Sequence, residues 1–394
     1  MIRIINKKEC CGCSACASVC PKDCITILQD SEGFYYPEVN EDGCINCGLC
    51  EKKCPVLNNQ AEKPFKQTGY VVQHRDSHIL KESTSGGAFT GLVEHIIREG
   101  GVVVGATLNQ SLFVEHIIVD NVEDLSKFRN SKYVQSYIAP EIYKQIKSYL
   151  TEGRSVCFSG TACQIEAVKS LFEDKFDKLI CIDVVCRAVP SPLAFKKYTE
   201  YQTARNHAKI ESLRFRDKFF SYHFSTLNIG FDGRKKHYHR GIESDPWHRA
   251  FFSGICNRPS CHDCVFKKRY RVSDITLWDC FNYEQKYTSM KRNLGATNVL
   301  IHSPKGLALF KKVKESFIVE DANPDEQVAR MKEMTQTVPA NNRREAFLAD
   351  AKVLNGVDLY NKYFPIGFKN NLLFWGRRIM VRVGVYSLVK SILR

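Results

Sequence analysis

Ten of the chain's 18 cysteines fall between Cys10 and Cys54, and eight of them repeat one spacing. Cys10-x2-Cys13-x2-Cys16-x3-Cys20-Pro21 recurs 34 residues later as Cys44-x2-Cys47-x2-Cys50-x3-Cys54-Pro55. Three cysteines two residues apart can wrap one face of a four-iron, four-sulfur cubane while backbone N–H groups point at its sulfurs. The proline after the fourth cysteine turns the chain away toward the other half. A pair of zinc knuckles is the competing reading, but duplicated spacing with both prolines leaves it little room. Between the runs, Ile25–Leu28 and Phe34–Tyr36 flank Asp30-Ser31-Glu32-Gly33, the pattern of a β-hairpin. Cys11 and Cys24 stand outside the repeat and are expected to be buried free thiols.

The run resembles that of bacterial two-cluster ferredoxins, in which the fourth cysteine ligates the other cluster. That resemblance implies one cluster on Cys10, Cys13, Cys16 and Cys54, and a second on Cys44, Cys47, Cys50 and Cys20. The Met1–Lys8 segment lacks the apolar run of a secretory signal, and no stretch approaches the roughly 18 apolar residues of a spanning helix. The expected location is therefore the cytoplasm, and the cysteines read as metal or redox ligands rather than disulfides. The formal charge of +14 invites nucleic acid or a membrane surface as partner. Three cubanes with four thiolates each, worth roughly −2 apiece, would bring it to about +8. The basic surplus alone therefore decides nothing, and no nucleic-acid partner is expected.

Residues 1–60 account for this module, and a chain of 394 residues leaves a much larger domain behind it. After a polar linker the pattern changes to alternating strands and helices, expected to form an α/β domain with a mostly parallel sheet. Gly69–Gln73 reads as a strand, Ser83–Ala88 opens an amphipathic helix, and 102–106 is the next strand. A Ser/Gly turn at a helix start offers free N–H groups to a phosphate, or is simply a cap with glycines for close packing. Then 155–160, 165–172 and 179–185 form a strand–helix–strand unit. Cys163 and Cys186 follow the carboxyl ends of its two strands, on the rim where open α/β sheets place ligands. With Cys261 and Cys264 they make the simplest recipe for a third cluster. A zinc site on Cys256, Cys261, Cys264 and Cys280 and a nucleophilic Cys163 are the rival readings. Cys157 and Cys181 lie in apolar strands and read as core. His207, His223, His237, His239 and His248 lie in a basic, loop-rich stretch and read as surface or substrate-facing.

Seven segments together carry a family pattern: 83–89 (STSGGAF), 130–135 (NSKYVQ), 159–164 (SGTACQ), 185–192 (VCRAVPSP), 215–218 (FRDK), 258–264 and 273–276. Through residue 320 or so, the chain resembles the beta subunit family of coenzyme F420 hydrogenases and dehydrogenases. The architecture is also similar to ferredoxin-dependent divinyl chlorophyllide reductases and to relatives among bacterial surface-polysaccharide enzymes. It departs from the pattern at Arg187, where histidine is usual after the cysteine, and at Ala162, where many relatives carry proline. The resemblance implies an iron–sulfur flavoprotein oxidoreductase that passes electrons between a reduced donor, a ferredoxin or a deazaflavin, and a small-molecule or glycan-linked substrate. It implies FAD or FMN, with Ser85, Gly86 and Gly87 as contacts to phosphate or ring. Ser131, Lys132 and Tyr133 would be second contacts, Lys132 able to stabilise anionic reduced flavin. The alternatives are a non-catalytic electron-transfer subunit of a larger complex and a reductase of surface-polysaccharide biosynthesis.

The domain reading is thus 1–60, 67–320 and a helical extension over 321–394. That extension ends in a basic amphipathic tail in which Lys369, Arg377, Arg378, Arg382, Lys390 and Arg394 interleave with apolar residues and no acid. It reads as a membrane-surface or partner-docking element, at the inner face of the membrane, or as a closing helix packed on the domain.

Overall fold

The computed structural model describes residues 1–172, 176–386 and 389. Its N-terminal module is a small α+β unit. Two one-turn helices, Ala15–Ser18 and Leu49–Lys52, flank an antiparallel hairpin of Ile25–Gln29 (β1) and Tyr35–Val39 (β2). The turn closes because the Asp30 carboxylate accepts from the N–H groups of Glu32 and Phe34, both at 2.9 Å. The sequence repeat is a structural repeat. Gly12 and Asn46 both sit at positive φ, as do Ser14 and Gly48, and each pair is separated by the same 34 residues.

The large domain holds Thr68–His74 (β3), Val102–Leu108 (β4), Val114–Val119 (β5), Val156–Thr161 (β6), Leu179–Val184 (β7), Ile210–Asp217 (β8), Thr226–Phe231 (β9), Tyr238–Arg240 (β10), Ile275–Asp279 (β11), Thr297–Ile301 (β12) and Phe317–Ala322 (β13). Eight of them form one sheet in the order β13-β3-β12-β11-β7-β6-β4-β5. Its centre, β11-β7-β6-β4, is parallel, and the strands on both flanks pair antiparallel, so the sheet is mixed around a parallel middle. The central strands are near-continuous runs of Val, Ile and Leu because helices cover both faces. Ala88–Arg98 and Pro304–Val313 bury Leu92, Ile96 and Phe310 on one face, and Pro140–Thr151 and Ala162–Phe172 bury Ile146 and Val168 on the other.

A second layer stands beside this sheet. Strands β10-β9-β8 form an antiparallel sheet. It shares a core of Phe195, Tyr198, Trp247 and Tyr360 with the helices Pro192–Asn206, Pro246–Ser253, Arg344–Val353 and Gly356–Tyr363. The expected boundary at residue 320 therefore needs correcting. It falls inside β13, and two helices of the expected extension are integral to this core. The helices Pro324–Ala329 and Lys332–Thr335 pack instead near Trp278 and Leu300, and the helix Phe368–Val383 is held through Phe374 against Phe220 and Phe224. Of the tail residues, Lys390 and Arg394, with Leu388, Ile392 and Leu393, lie outside the described residues.

A candidate relay of three cysteine groups beside a cationic pocket

The module contains two small cavities, of about 20 Å³ each, and they sort the repeated cysteines. One is lined by Cys44, Cys47, Cys50 and Cys20, the other by Cys10, Cys13, Cys16 and Cys54. In each, three thiols come from one half-repeat and the fourth from the other. Backbone N–H groups point at the sulfurs: Gly12 to Cys10 at 3.4 Å, Asn46 to Cys44 at 3.4 Å and Ile2 to Cys50 at 3.3 Å. Four soft thiols around a space with N–H donors aimed at them is the donor chemistry of an iron–sulfur cubane, so the residues present fit the group.

Each cavity also holds a fifth thiol: Cys24 is a buried free thiol as expected, and Cys11 is free and half-buried. Cys24 lies 3.3 Å from Cys20. Cys11 neighbours both Cys13 and Cys163 of the large domain, and it packs with Ala15, Ala167 and Leu171. Its proximity holds the Cys13 thiol below its ordinary range and pulls Cys163 down to about 7.

Cys163 belongs to a third group. It opens the helix that follows β6, and Cys186 follows β7. Cys261 ends a short 3-10 turn, Pro259–Cys261, and Cys264 lies three residues on. These four thiols are electrostatic neighbours of one another, and the Val189 N–H points at Cys261 at 3.3 Å. Burial pushes Cys186 up to about 12 and raises Cys261 and Cys264 as well. The zinc alternative is not assembled: Cys256 is buried beside Trp247 and Tyr360, whereas Cys280 packs with Tyr222 and Tyr283 in a separate core. Cys157 and Cys181 are fully buried in β6 and β7.

Arg258 fastens the module to the large domain, a role that spacing gave no hint of. Its Nε donates to the Cys10 carbonyl at 2.8 Å, Nη2 to the Tyr35 carbonyl at 2.9 Å and Nη1 to Gln135 Oε1 at 3.3 Å. The guanidinium also lies 4.1 Å from the Tyr36 ring centroid. None of these partners is charged, although the side chain is 1% exposed. A buried cation with only neutral partners is costly unless an anion stands near it. A Cβ on Gly12 would come within 2.9 Å of Nη1, so glycine is required where the cysteine loop meets this arginine. Tyr143 Oη donating to the Cys13 carbonyl at 2.7 Å and the Arg344–Glu32 ion pair complete the seam.

The residues expected to hold a flavin gather about two loops that meet where the Ser131 N–H donates to Thr84 Oγ1 at 2.8 Å. Ser85 and Gly86 are already engaged. The Ser85 hydroxyl donates to the Ala296 carbonyl, and the Gly86 N–H donates to Thr297 Oγ1 at 2.8 Å. A Cβ on Gly86 would strike the Val72 carbonyl and lie 2.6 Å from the Thr297 nitrogen, so this glycine serves close packing. Gly87, at φ +78°, caps the helix Ala88–Arg98. Around these loops stand five cations. Arg129 pairs with Glu82, Arg214 with Asp217 and Arg216 with Asp279. The amines of Lys132 and Lys218 instead donate to carbonyls, of Lys127 and Arg129 for the first and of Leu80, Ser85 and Leu294 for the second. Burial pushes both down to about 7. This is a pocket short of negative charge.

An aromatic line joins this pocket to the third cysteine group. Tyr133 stacks on Phe251 at 4.5 Å and meets Phe252 edge-on. Arg187, next to Cys186, lies over Phe252 at 5.8 Å and pairs with Glu333 at 3.1 Å. Among the histidines, His207 and His237 are exposed. His248 is buried, its Nε2–H donating to the Phe215 carbonyl at 2.8 Å, which corrects its reading as a surface residue; it sits on the inner face of an aromatic helix.

Residues 153–327 match the model of the C-terminal part of the coenzyme F420 hydrogenase/dehydrogenase beta subunit, and residues 9–58 match a 4Fe-4S dicluster domain. The segment 153–327 is thus similar to the C-terminal part of that beta subunit, and 9–58 to a dicluster ferredoxin. It is similar to one subunit of the F(420)H(2) dehydrogenase of Methanosarcina mazei, 22% identical over 190 residues, which cover 45% of this chain and 53% of that one. An uncharacterised protein of Methanocaldococcus jannaschii is 25% identical over 204 residues, 44% of this chain and 56% of the other. The chain thus spans about half the length of these two relatives. Its module is similar to a 7Fe ferredoxin of Hydrogenibacillus schlegelii, 37% identical over 65 residues, 16% of this chain and 77% of the ferredoxin. A solved xenon-derivatised F420-reducing nickel–iron hydrogenase complex from Methanosarcina barkeri covers 77% of this chain and 94% of its own at a TM-score of 0.45 and 17% identity. All four cysteines of the third group fall inside the family's matched segment.

Proposed function

We propose that the chain is an iron–sulfur flavoprotein oxidoreductase that moves electrons between a reduced donor and a flavin through three four-iron clusters. Cys10, Cys13, Cys16 and Cys54 would hold the first, Cys44, Cys47, Cys50 and Cys20 the second, and Cys163, Cys186, Cys261 and Cys264 the third. The observation that carries the reading is Cys11, which neighbours a thiol of the first group and one of the third. It makes the module and the sheet domain neighbours at the sulfurs themselves. When bound, the clusters supply one-electron steps and the flavin exchanges one electron for two.

The chain's own residues do the rest. Arg258 fixes the distance between the first and third groups and puts positive charge between them. Lys132 and Lys218, whose amines donate to backbone carbonyls rather than to a carboxylate, favour an anionic ligand such as a flavin pyrophosphate or a reduced ring. Thr84, Ser131 and Tyr133 line the same loops, and Tyr133 and Phe252 connect them toward Cys186. The free N–H groups at the start of Ala88–Arg98 add positive potential. The F(420)H(2) dehydrogenase name of the Methanosarcina mazei relative supports a deazaflavin as donor or acceptor. The polysaccharide context rests on family resemblance alone.

Reconstitution with iron, sulfide and FAD tests the reading. Twelve irons per chain, with bound flavin reduced by a soluble low-potential donor, are expected, at roughly four irons for each cubane. Cys261→Ser should cost about four irons and leave the ferredoxin pair. Loss of zinc with cluster iron unchanged would refute the third cluster, and full cluster content with no flavin would leave a non-catalytic shuttle.

A further inference from the structure

The helix Phe368–Val383 carries an apolar stripe that none of the described residues covers. Phe368, Leu372, Trp375, Ile379 and Val383 recur at intervals of four, three, four and four residues, which places them in one line along the helix. All five are exposed, from 55% at Trp375 to 83% at Phe368. The opposite side is where the helix is held: Phe374 is buried on Phe224, Asn370 donates to the Glu243 carbonyl at 2.7 Å, and Arg377 pairs with Glu243 at 2.8 Å. The outward face is therefore fixed by the packing. Phe219 and Ile242, in the segments that hold the helix, are exposed as well and widen the apolar surface.

We propose that this face docks on an anionic lipid bilayer, with the helix lying in the plane of the interface. Charge decides between a lipid and other occupants. From Leu359 to Arg394 there is no acidic residue and there are seven basic ones. Of these, Lys369 and Arg382 are exposed on the helix itself, and Arg378 reaches over the Trp375 ring at 4.6 Å, its stem against the aromatic edge of the stripe. Aromatic and aliphatic side chains in one line, flanked by cations on long stems, are what the headgroup–acyl boundary accommodates. Sixteen residues give about 24 Å of helix, and no helix among the described residues is long and apolar enough to cross a membrane. The stripe can lie on a bilayer.

The test is cosedimentation of the full chain, purified anaerobically with its clusters, with vesicles of phosphatidylcholine alone or of phosphatidylcholine mixed with phosphatidylglycerol. Binding to the mixed vesicles, weakened by added salt, is expected. Lys369→Gln with Arg382→Gln should weaken it about 25-fold, roughly fivefold for each basic residue. Ile379→Ser should weaken it about tenfold through lost apolar burial. All three side chains face solvent, so cluster absorbance and melting temperature should not move. Equal partition to both kinds of vesicle, or none, overturns the proposal. So does a dimer or a captured protein that Ile379→Ser releases while vesicle binding stays absent, because the stripe is then a protein seat.

Discussion

Replacing Arg258 with methionine keeps most of the stem and removes the charge. The guanidinium bridges the Cys10 carbonyl, the Tyr35 carbonyl and Gln135, and no carboxylate neutralises it. Its positive charge is therefore available to whatever negative charge the neighbouring cysteines hold. A unit charge about 8 Å from a cubane, at an effective dielectric near 20, is worth roughly 2 kcal/mol. For a one-electron couple that is about 90 mV, since roughly 1.4 kcal/mol corresponds to about 59 mV. Reduction adds an electron, so removing the cation makes reduction harder, and the midpoint potential of the Cys10 cluster should fall by about that amount. The Cys44 cluster, on the far side of the module, should move much less. The assay is an anaerobic redox titration followed by electron paramagnetic resonance, with iron content measured on the same sample. Full iron with a shift under a quarter of the expected value would show that solvent or other dipoles screen the arginine, and the electrostatic argument would fail. A second effect travels with the first. Two carbonyls at the seam lose charged donors, each bond contributing roughly 1.5–3 kcal/mol, so the melting temperature should drop as well.

Cys11→Ala should retain every iron while weakening the magnetic interaction between the first and third clusters; loss of four irons instead would make Cys11 a ligand. Lys132 and Lys218 are held near 7 in the folded chain against roughly 10.4 when unfolded, so the unfolded state binds more protons between these values. The flavin-free chain should gain stability as pH rises from about 7 toward 10. FAD should flatten that dependence by returning the amines to their charged form, and thermal melts with and without it check both statements. Gly86→Ala drives a methyl into the Val72 carbonyl and to 2.6 Å from the Thr297 nitrogen. Overpacking between β3 and β12 should cost about 1–3 kcal/mol in chemical denaturation, whatever happens to flavin binding.

The parts that were legible in the sequence are those where one local rule dominates. Duplicated cysteine spacing announced the module, and runs such as Val102-Val103-Val104 announced strands covered on both faces. The antiparallel flanks were not legible, because period and apolarity do not encode strand direction. Arg258 entered only as the first residue of a family-pattern segment; what singles it out is burial among neutral partners. Gly12 offered the one local signal, a glycine beside two cysteines at a point where a side chain would strike that arginine. Cys11 read as a spare thiol because its partner, Cys163, is 152 residues away and is reached only when the module docks. His248 read as surface or substrate-facing because the stretch from 207 to 248 is basic and loop-rich, while its helix turns it inward with Trp247 and Phe251. Helices 344–353 and 356–363 were assigned to an appendage because only the third dimension puts Tyr360 against Tyr198.

Neither half of the N-terminal duplication owns a finished chamber. Cys54 completes the wall begun by the first run, and Cys20 completes the wall begun by the second. The two halves are thereby interlocked, and filling one chamber draws the other's missing ligand toward its place. Loading should be all-or-none across the pair, with half-filled molecules scarce, and damage that empties one chamber should loosen its twin.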